Sequence, residues 1–384
     1  MPPTPSAAPD PAPGTPPSPA AGRPSPPRPS APASPDGVLH RAARVDDAAH
    51  AALARLLRRR GWTPRVLPYA GYGTDGWVRV LGRVLLCPPG ARERELRDLA
   101  AGRGWRRFLS APVAGVDVEV TVAGRTAHVT STRGGYLDHV LDADLPAGPT
   151  TATLTVTADG TGPDARAPLF VVGPQPGLGL VSDIDDTVLV TAIPRPMHAF
   201  WNTFLRHETS RRPVPGMAAL YQDLRRHDPG CFVVYLSTGA WNVAPALASF
   251  LARYGYPPGP LLLTDWGPTP QGWFRSGREH KRTQLRRLMT ELPQLRWLLI
   301  GDDGQHDPQL YREAADAAPT QVRAVLIRQL TATQQVLAHG TPTPLPDQQP
   351  DARSPSDRVP ELRAPDGAGL LAALRTSGVL DPRA

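Results

Sequence analysis

A chain of 384 residues with 48 prolines, two cysteines and a formal net charge of +7 has room for two ordinary domains plus tails. Two cysteines exclude a disulfide-stapled scaffold, and no apolar run reaches the ~18 residues that a membrane-spanning helix needs. The excess positive charge suits an anionic partner (a phosphorylated substrate, an acidic lipid surface or nucleic acid) without choosing among them.

Residues 1–36 are almost wholly Pro, Ala, Ser, Gly and Arg without apolar periodicity. Such a segment buries too little surface to offset its ordering entropy, so a disordered Pro-rich arm is expected. No apolar run stands behind a basic start, so no secretory signal is expected. Residues 38–60 carry Leu39, Val45, Ala49, Leu53, Leu56 and Leu57 in a rough helical stripe that Gly61 stops. From Thr63 to Val172 short β runs alternate with turn signals such as Arg133-Gly134-Gly135. Val116, Val118, Val120 and Val122 read as half-buried antiparallel strand, which predicts a small β-sandwich. This defines a first domain over 37–172.

After Gly177 the pattern becomes alternating strand and helix, with strands predicted over 178–182, 231–236, 261–264, 296–300 and 322–328. The strands are continuous apolar runs, the signature of a parallel sheet covered on both faces, so the second domain, 173–335, is α/β. Cys87 and Cys231 fall inside apolar strands of different domains, which predicts buried free thiols and a cytoplasmic location. Residues 340–366 resemble the N-terminal arm and are expected to be disordered within a tail over 336–384. There Leu370, Leu371, Leu374 and Val379 form either a short partner-binding helix or a frayed end.

In a parallel sheet, reactive groups gather at the carboxyl ends of the strands. The first strand ends in Asp183-Ile184-Asp185-Asp186-Thr187, three carboxylates that repel one another unless a hard cation is near. A carboxylate can attack phosphorus, and a second one two residues on can protonate the leaving oxygen. The second strand ends in Ser237-Thr238-Gly239, a hydroxyl followed by backbone that can approach a phosphoryl group. The fourth is followed by Gly301-Asp302-Asp303-Gly304-Gln305-His306-Asp307, a second acidic cluster.

Of the 42 basic residues, 41 are Arg, and the single Lys is Lys281, at the start of the helix after the third strand. A compact ammonium in that place can neutralise phosphoryl oxygens as a point charge, which a planar guanidinium does less well.

The ordered set Asp-x-Asp-x-Thr, Ser, Lys, Gly-Asp-Asp resembles the four motifs of the haloacid dehalogenase superfamily. The fuller phrases at 182–187, 235–242, 261–267, 280–281 and 300–308, with Tyr69-Ala70-Gly71-Tyr72-Gly73 upstream, resemble the fungal actin-patch phosphatidate phosphatase family and its bacterial relatives over roughly 60–330. The resemblance implies a Rossmannoid parallel sheet, Asp183 as nucleophile, Asp185 as general acid and base, and Ser237 and Lys281 as catalytic phosphate-binding groups helped by Thr238 and Gly239. It implies a Mg²⁺ shell from Asp183, the Asp185 carbonyl and Asp302, with Asp303 and Asp307 competing for a further role. The segment Thr238–Asn242 departs from the fungal Asn-Ser-Pro-Trp phrase but keeps Trp241.

The expected reaction is phosphomonoester hydrolysis, with phosphatidate or another lipid phosphate as the substrate that the resemblance implies. The location then extends to the periphery of an anionic membrane, and no nucleic acid is expected. Two other readings stand beside it: a phosphatase of phosphoproteins or soluble phosphomonoesters, and a catalytically idle scaffold whose Pro-rich arms recruit proteins. The stretch Ile193–Arg212 leaves room for at most a short flap with Trp201 and Phe204, so the site is expected to be open to bulky substrates. Arg103-Gly104-Trp105-Arg106-Arg107-Phe108 reads as a solvated surface or a membrane contact, and Trp241 and Trp266 as packing residues.

Overall fold

Strands with two apolar faces occupy the middle of this protein, and they join its two sheets. The computed structural model describes residues 51–90, 112–157, 164–190, 212–264, 277–304, 306–332, 334–335 and 359–380. The N-terminal arm, Trp201, Phe204, Trp266 and the 103–108 stretch lie outside these residues. Residues 51–59 are helical (α1).

The first sheet holds β1 (Thr63–Thr74), β2 (Trp77–Cys87), β3 (Asp117–Val122), β4 (Arg125–Thr130), β5 (Tyr136–Asp142), β6 (Gly148–Val156) and β7 (Ala165–Val172), in the order β4-β3-β6-β7-β1-β2-β5. All neighbours are antiparallel except β1 and β7, which run parallel. This differs from the expected pair of sheets. One continuous sheet curls until its edges, β4 and β5, meet, and one apolar cluster fills it.

The second sheet is wholly parallel: β8 (Gly177–Asp183), β9 (Phe232–Ala240), β10 (Leu261–Thr264), β11 (Leu295–Asp302), β12 (Val322–Arg328) and β13 (Glu361–Ala364), in the order β10-β9-β8-β11-β12-β13. Among the described residues, helices α2 (Met217–His227), α3 (Ala244–Arg253), α4 (Gly277–Glu291), α5 (Asp307–Ala317) and α6 (Gly367–Thr376) accompany it. Helix α4 packs with α5, and α2 with α6. The chain builds outward from β8 through β9 to β10, then returns to β11 on the other side of β8. The strand order therefore reverses between β8 and β11, and the crevice at such a switch point is where ligands bind in open α/β sheets.

The period-2 alternation of β1 and β2 explains how the sheets fuse. Val66, Val78, Val80, Val84 and Leu86 face the inside of the curled sheet. Leu67, Tyr69, Leu81, Leu85 and Cys87 project the other way, into the core of the parallel sheet. That is why β2 reads as an almost unbroken apolar run.

The C-terminal reading requires correction. Residues 359–366 are not part of a disordered tail, because β13 pairs with β12 as a sixth parallel strand. The Asp366 carboxylate caps α6 by accepting from the Gly369 amide at 2.9 Å. Gly367 lies backbone to backbone against Gly216, where any Cβ would collide. Leu370, Leu374 and Val379 are buried in the core rather than offered to a partner. Among the described residues no helix is long and apolar enough to cross a membrane. Cys87 and Cys231 are buried free thiols.

Candidate active site

The switch point puts Asp183, the last residue of β8, beside Asp302, the last residue of β11. Beyond Asp183 the chain turns sharply: Val188 and Leu189 both donate backbone N–H to the Ile184 carbonyl, and Asp186 takes a left-handed φ of 56°. Aspartate is one of the few side chains that adopt that conformation readily. The Arg328 guanidinium, buried at the end of β12, fixes the turn by donating to the Asp186 carbonyl. Sequence reasoning did not select Arg328. Its only signal was a cation closing an apolar strand.

Helix α4 delivers Lys281 into this cluster, and its Nζ lies 2.6 Å from Asp183 Oδ1 and 2.6 Å from Asp307 Oδ1. Asp307 opens α5, and Asp183, Lys281, Asp302 and Asp307 are all buried. Asp183, Asp302 and Asp307 each offer a carboxylate oxygen within 4.8 Å of the others. Thr187 donates to Asp302 Oδ2 at 3.5 Å, and the Gly304 amide to Asp302 Oδ1 at 2.7 Å. Gly301 is required by space: a Cβ there would meet Asp307 Oδ2 at 2.6 Å.

Asp303 and Asp307, indistinguishable by sequence, separate here. The Asp303 carboxylate turns away and accepts from the Leu330 amide at 2.8 Å, while Asp307 joins the acidic triad. His306 is exposed and makes no side-chain cap on α5.

Strand β9 continues through Ser237-Thr238-Gly239 to Ala240, past the predicted end at Leu236. Leu236 pairs with Leu262 and Ala240 with Thr264, so two extra residues of β9 bulge out against β10. A bulge beside an active site re-aims the side chains it carries. Here Ser237 donates to Asp185 Oδ2 at 3.2 Å and accepts from the Gly239 amide at 2.9 Å. The Thr264 hydroxyl donates to the Thr238 carbonyl at 2.8 Å and so fixes the bulge.

Five buried carboxylates (Asp183, Asp185, Asp186, Asp302 and Asp307) meet one buried ammonium, Lys281, and one buried guanidinium, Arg328. Burial pushes Asp185 up to about 7, and burial with the Asp307 and Asp183 charges pushes Asp302 well above the ordinary carboxylate range. Burial alone would lower Lys281, but the Asp183 and Asp307 carboxylates outweigh it and hold the amine charged. Asp183 Oδ2, Asp185 Oδ1 and Asp307 Oδ2 are buried without a hydrogen-bond partner. Orphaned oxygens and excess negative charge in an all-oxygen donor set fit a hard divalent cation such as Mg²⁺. Asp183, Asp302 and Asp307 are the residues that would hold it.

The sheet and its strand ends thus define an α/β protein with a cation-seeking acidic centre beside one buried lysine. Residues 178–329 match the family model of the phosphatidate phosphatase APP1 catalytic domain. The chain is 25% identical over 233 residues to phosphatidate phosphatase APP1 of Saccharomyces cerevisiae, covering 58% of this chain and 39% of that one. It is 25% identical over 153 residues to an uncharacterized Schizosaccharomyces pombe protein, covering 40% of this chain and 25% of that one. The matched region therefore spans well under half the length of these curated relatives. A carbohydrate acetylesterase from Xanthomonas citri aligns over 72% of this chain and 73% of its own at 11% identity and a TM-score of 0.26, a likeness too weak to carry any argument.

Proposed function

We propose that this chain is a magnesium-dependent phosphoric monoester hydrolase of the phosphatidate phosphatase type, built on a haloacid dehalogenase-like α/β domain and working through an aspartyl-phosphate. The match of residues 178–329 to the phosphatidate phosphatase catalytic domain supports the reaction class. The observation that carries the mechanism is Lys281, ion-paired to Asp183 and Asp307 at 2.6 Å while Asp183 Oδ2 has no hydrogen-bond partner.

Asp183 attacks phosphorus, the ester P–O bond breaks, and Asp185 gives its proton to the departing alkoxide. A carboxyl pushed up to about 7 still carries that proton in much of the population at neutral pH. Asp185 then takes a proton from water, which attacks the same phosphorus. The Asp183–phosphate bond breaks, and inorganic phosphate leaves with both carboxyl groups restored. Lys281 and the Ser237–Gly239 bulge hold and neutralise the phosphoryl oxygens throughout, because phosphoryl transfer needs positioning and charge more than elaborate covalent chemistry. A magnesium ion, when bound, would offset the excess carboxylate charge and polarise the phosphoryl group.

The test is phosphate release from a generic aryl phosphate with Mg²⁺ and with chelator. Turnover is expected with the metal only, and Asp183→Asn should reduce it by about 10³-fold or more. An Asp183→Asn enzyme as active as wild type would end the aspartyl-phosphate mechanism. Phosphatidate in mixed micelles compared with phosphopeptides then decides the substrate, with the lipid phosphate at an anionic membrane surface as the expected winner.

A further inference from the structure

Residues 359–380 lie beyond residue 329, where the match to the catalytic-domain family ends, yet two routes join them to the turn that carries Asp183 and Asp185. We propose that Arg328 is a positioning residue for the nucleophile: it ties that turn to β13, so that the C-terminal strand and helix serve the reaction as well as the fold. On the phosphohydrolase reading above, on which this rests, the tie keeps Asp183 aimed at phosphorus.

The first route runs through the guanidinium. Arg328 is 4% exposed and stands at the end of β12, with Asp302 of β11 as its register partner on one side and Ala364 of β13 on the other. Its Nη1 donates to the Asp186 carbonyl, its Nε to the Pro365 carbonyl at 3.2 Å and its Nη2 to Gln334 Oε1 at 3.3 Å. One planar group thus joins three segments, two of them far from it in the chain. The carboxylates of Asp186, Asp302, Asp303 and Asp366 attract it and offset part of the cost of burying the cation.

The second route is main chain. The Gly367 N–H donates to the Pro215 carbonyl at 3.0 Å, and the Val214 N–H donates to the Val188 carbonyl at 3.0 Å. Leu189 also bridges Pro213, and the Tyr256 hydroxyl donates to the Val188 carbonyl at 2.9 Å. The far end of the turn is therefore pinned by several groups, while Arg328 holds its middle.

Covalent geometry says what that hold fixes. The Asp186 carbonyl shares a rigid peptide plane with the Thr187 nitrogen, so orienting it orients Thr187, whose hydroxyl donates to Asp302 Oδ2 at 3.5 Å. Asp186 has a φ of 56°, a sparsely populated conformation that persists where the surroundings over-determine it. Released from Arg328, the turn can relax. Asp185 and Asp183, one and three residues earlier, then lose their aim at Ser237 and Lys281, which they now meet at 3.2 and 2.6 Å.

The decisive variant is Arg328→Lys, which keeps the charge but not the fork. A single ammonium nitrogen does not span oxygens that three guanidinium nitrogens reach. Two measurements are made on the folded variant. Amide hydrogen exchange at Val188 and Leu189, which both bond the Ile184 carbonyl, should speed up by about tenfold or more, while Val233 and Val234 in β9 keep wild-type protection. With an aryl phosphate and Mg²⁺, kcat should fall about 10–100-fold while KM stays within about threefold, because a misplacement of about 1 Å costs rate rather than ground-state binding.

Gln334→Ala removes one acceptor and leaves the guanidinium in place. It should move both readouts the same way by about two- to fivefold, and it decides the matter if Arg328→Lys does not fold. Unchanged exchange at Val188 and Leu189 overturns the proposal. Protection lost equally in β9 does so too, since Arg328 would then be a structural residue only, and so does wild-type kcat in a variant whose turn exchanges faster. If the wild-type protein hydrolyses no phosphoester, the phosphohydrolase reading fails alone, and faster exchange confined to the turn still supports the tie.

Discussion

At the residue scale, single side chains are chosen by the space and charge around them. Lys281 is the one lysine in a chain that uses arginine everywhere else, and its ammonium fits between Asp183 and Asp307 with 2.6 Å contacts on both sides. A planar guanidinium needs a wider fork. Asp303 and Asp307 have the same chemistry, but only Asp307 begins a helix that points its carboxylate back at Lys281. The cysteines show the opposite case, side chains chosen for packing alone. Burial pushes both thiols up to about 12. Iodoacetamide at pH 8 should therefore leave Cys87 and Cys231 largely unmodified in the native protein and modify them once it unfolds. Because these pKa values are raised, the thiols' contribution to stability is intact below about pH 9 and lost as pH rises toward about 12. Rapid alkylation of the native protein, followed by mass spectrometry, would contradict both statements.

At the scale of elements, α4 connects the curled sheet to the acidic centre. Its first turns carry Lys281, and its last residue, Glu291, is gripped from β1 and β2. The Tyr72 hydroxyl donates to Glu291 Oε2 at 2.6 Å, and Arg79 pairs with Glu291 and Asp138. Both the Arg79 and Glu291 side chains are almost fully buried, with relative exposures of 10% and 5%. Removing one partner leaves the other as an uncompensated buried charge, so Arg79→Met should cost about 3–5 kcal/mol in urea unfolding. A loss below about 1 kcal/mol would show that the pair is not structural. The alternating strands and helices of the second sheet were legible from continuous apolar runs. The bulge in β9 was not, because Ser237-Thr238-Gly239 reads as the loop after a strand, and only the partner register on β10 reveals two extra residues inside one. The single curled sheet was missed for the same reason. Alternation shows which residues share a face, not whether the strands form one sheet or two.

At the scale of the whole molecule, the second sheet is completed by a segment that composition had excluded from the fold. Proline and glycine around residues 340–366 suggested disorder, yet Val359, Leu370, Leu374 and Val379 are buried in the core that the parallel sheet shares with β1 and β2. Full burial of such side chains contributes about 1.5–3 kcal/mol each, so four of them approach the whole net stability of a typical domain, about 5–15 kcal/mol. A chain ending at residue 335 should lose cooperative unfolding or aggregate along the exposed edge of β12. A wild-type denaturation curve for that truncation would show that the segment is dispensable.

The sequence by itself determined the acidic, hydroxyl and lysine residues of the candidate site, their order and the sheet ends that carry them, because strand periodicity and motif spacing are local properties of the chain. Only the tertiary structure chose Asp307 over Asp303 and brought Arg328 under the Asp183 turn. These depend on distances between segments far apart in the chain, and close packing fixes them, not any local propensity.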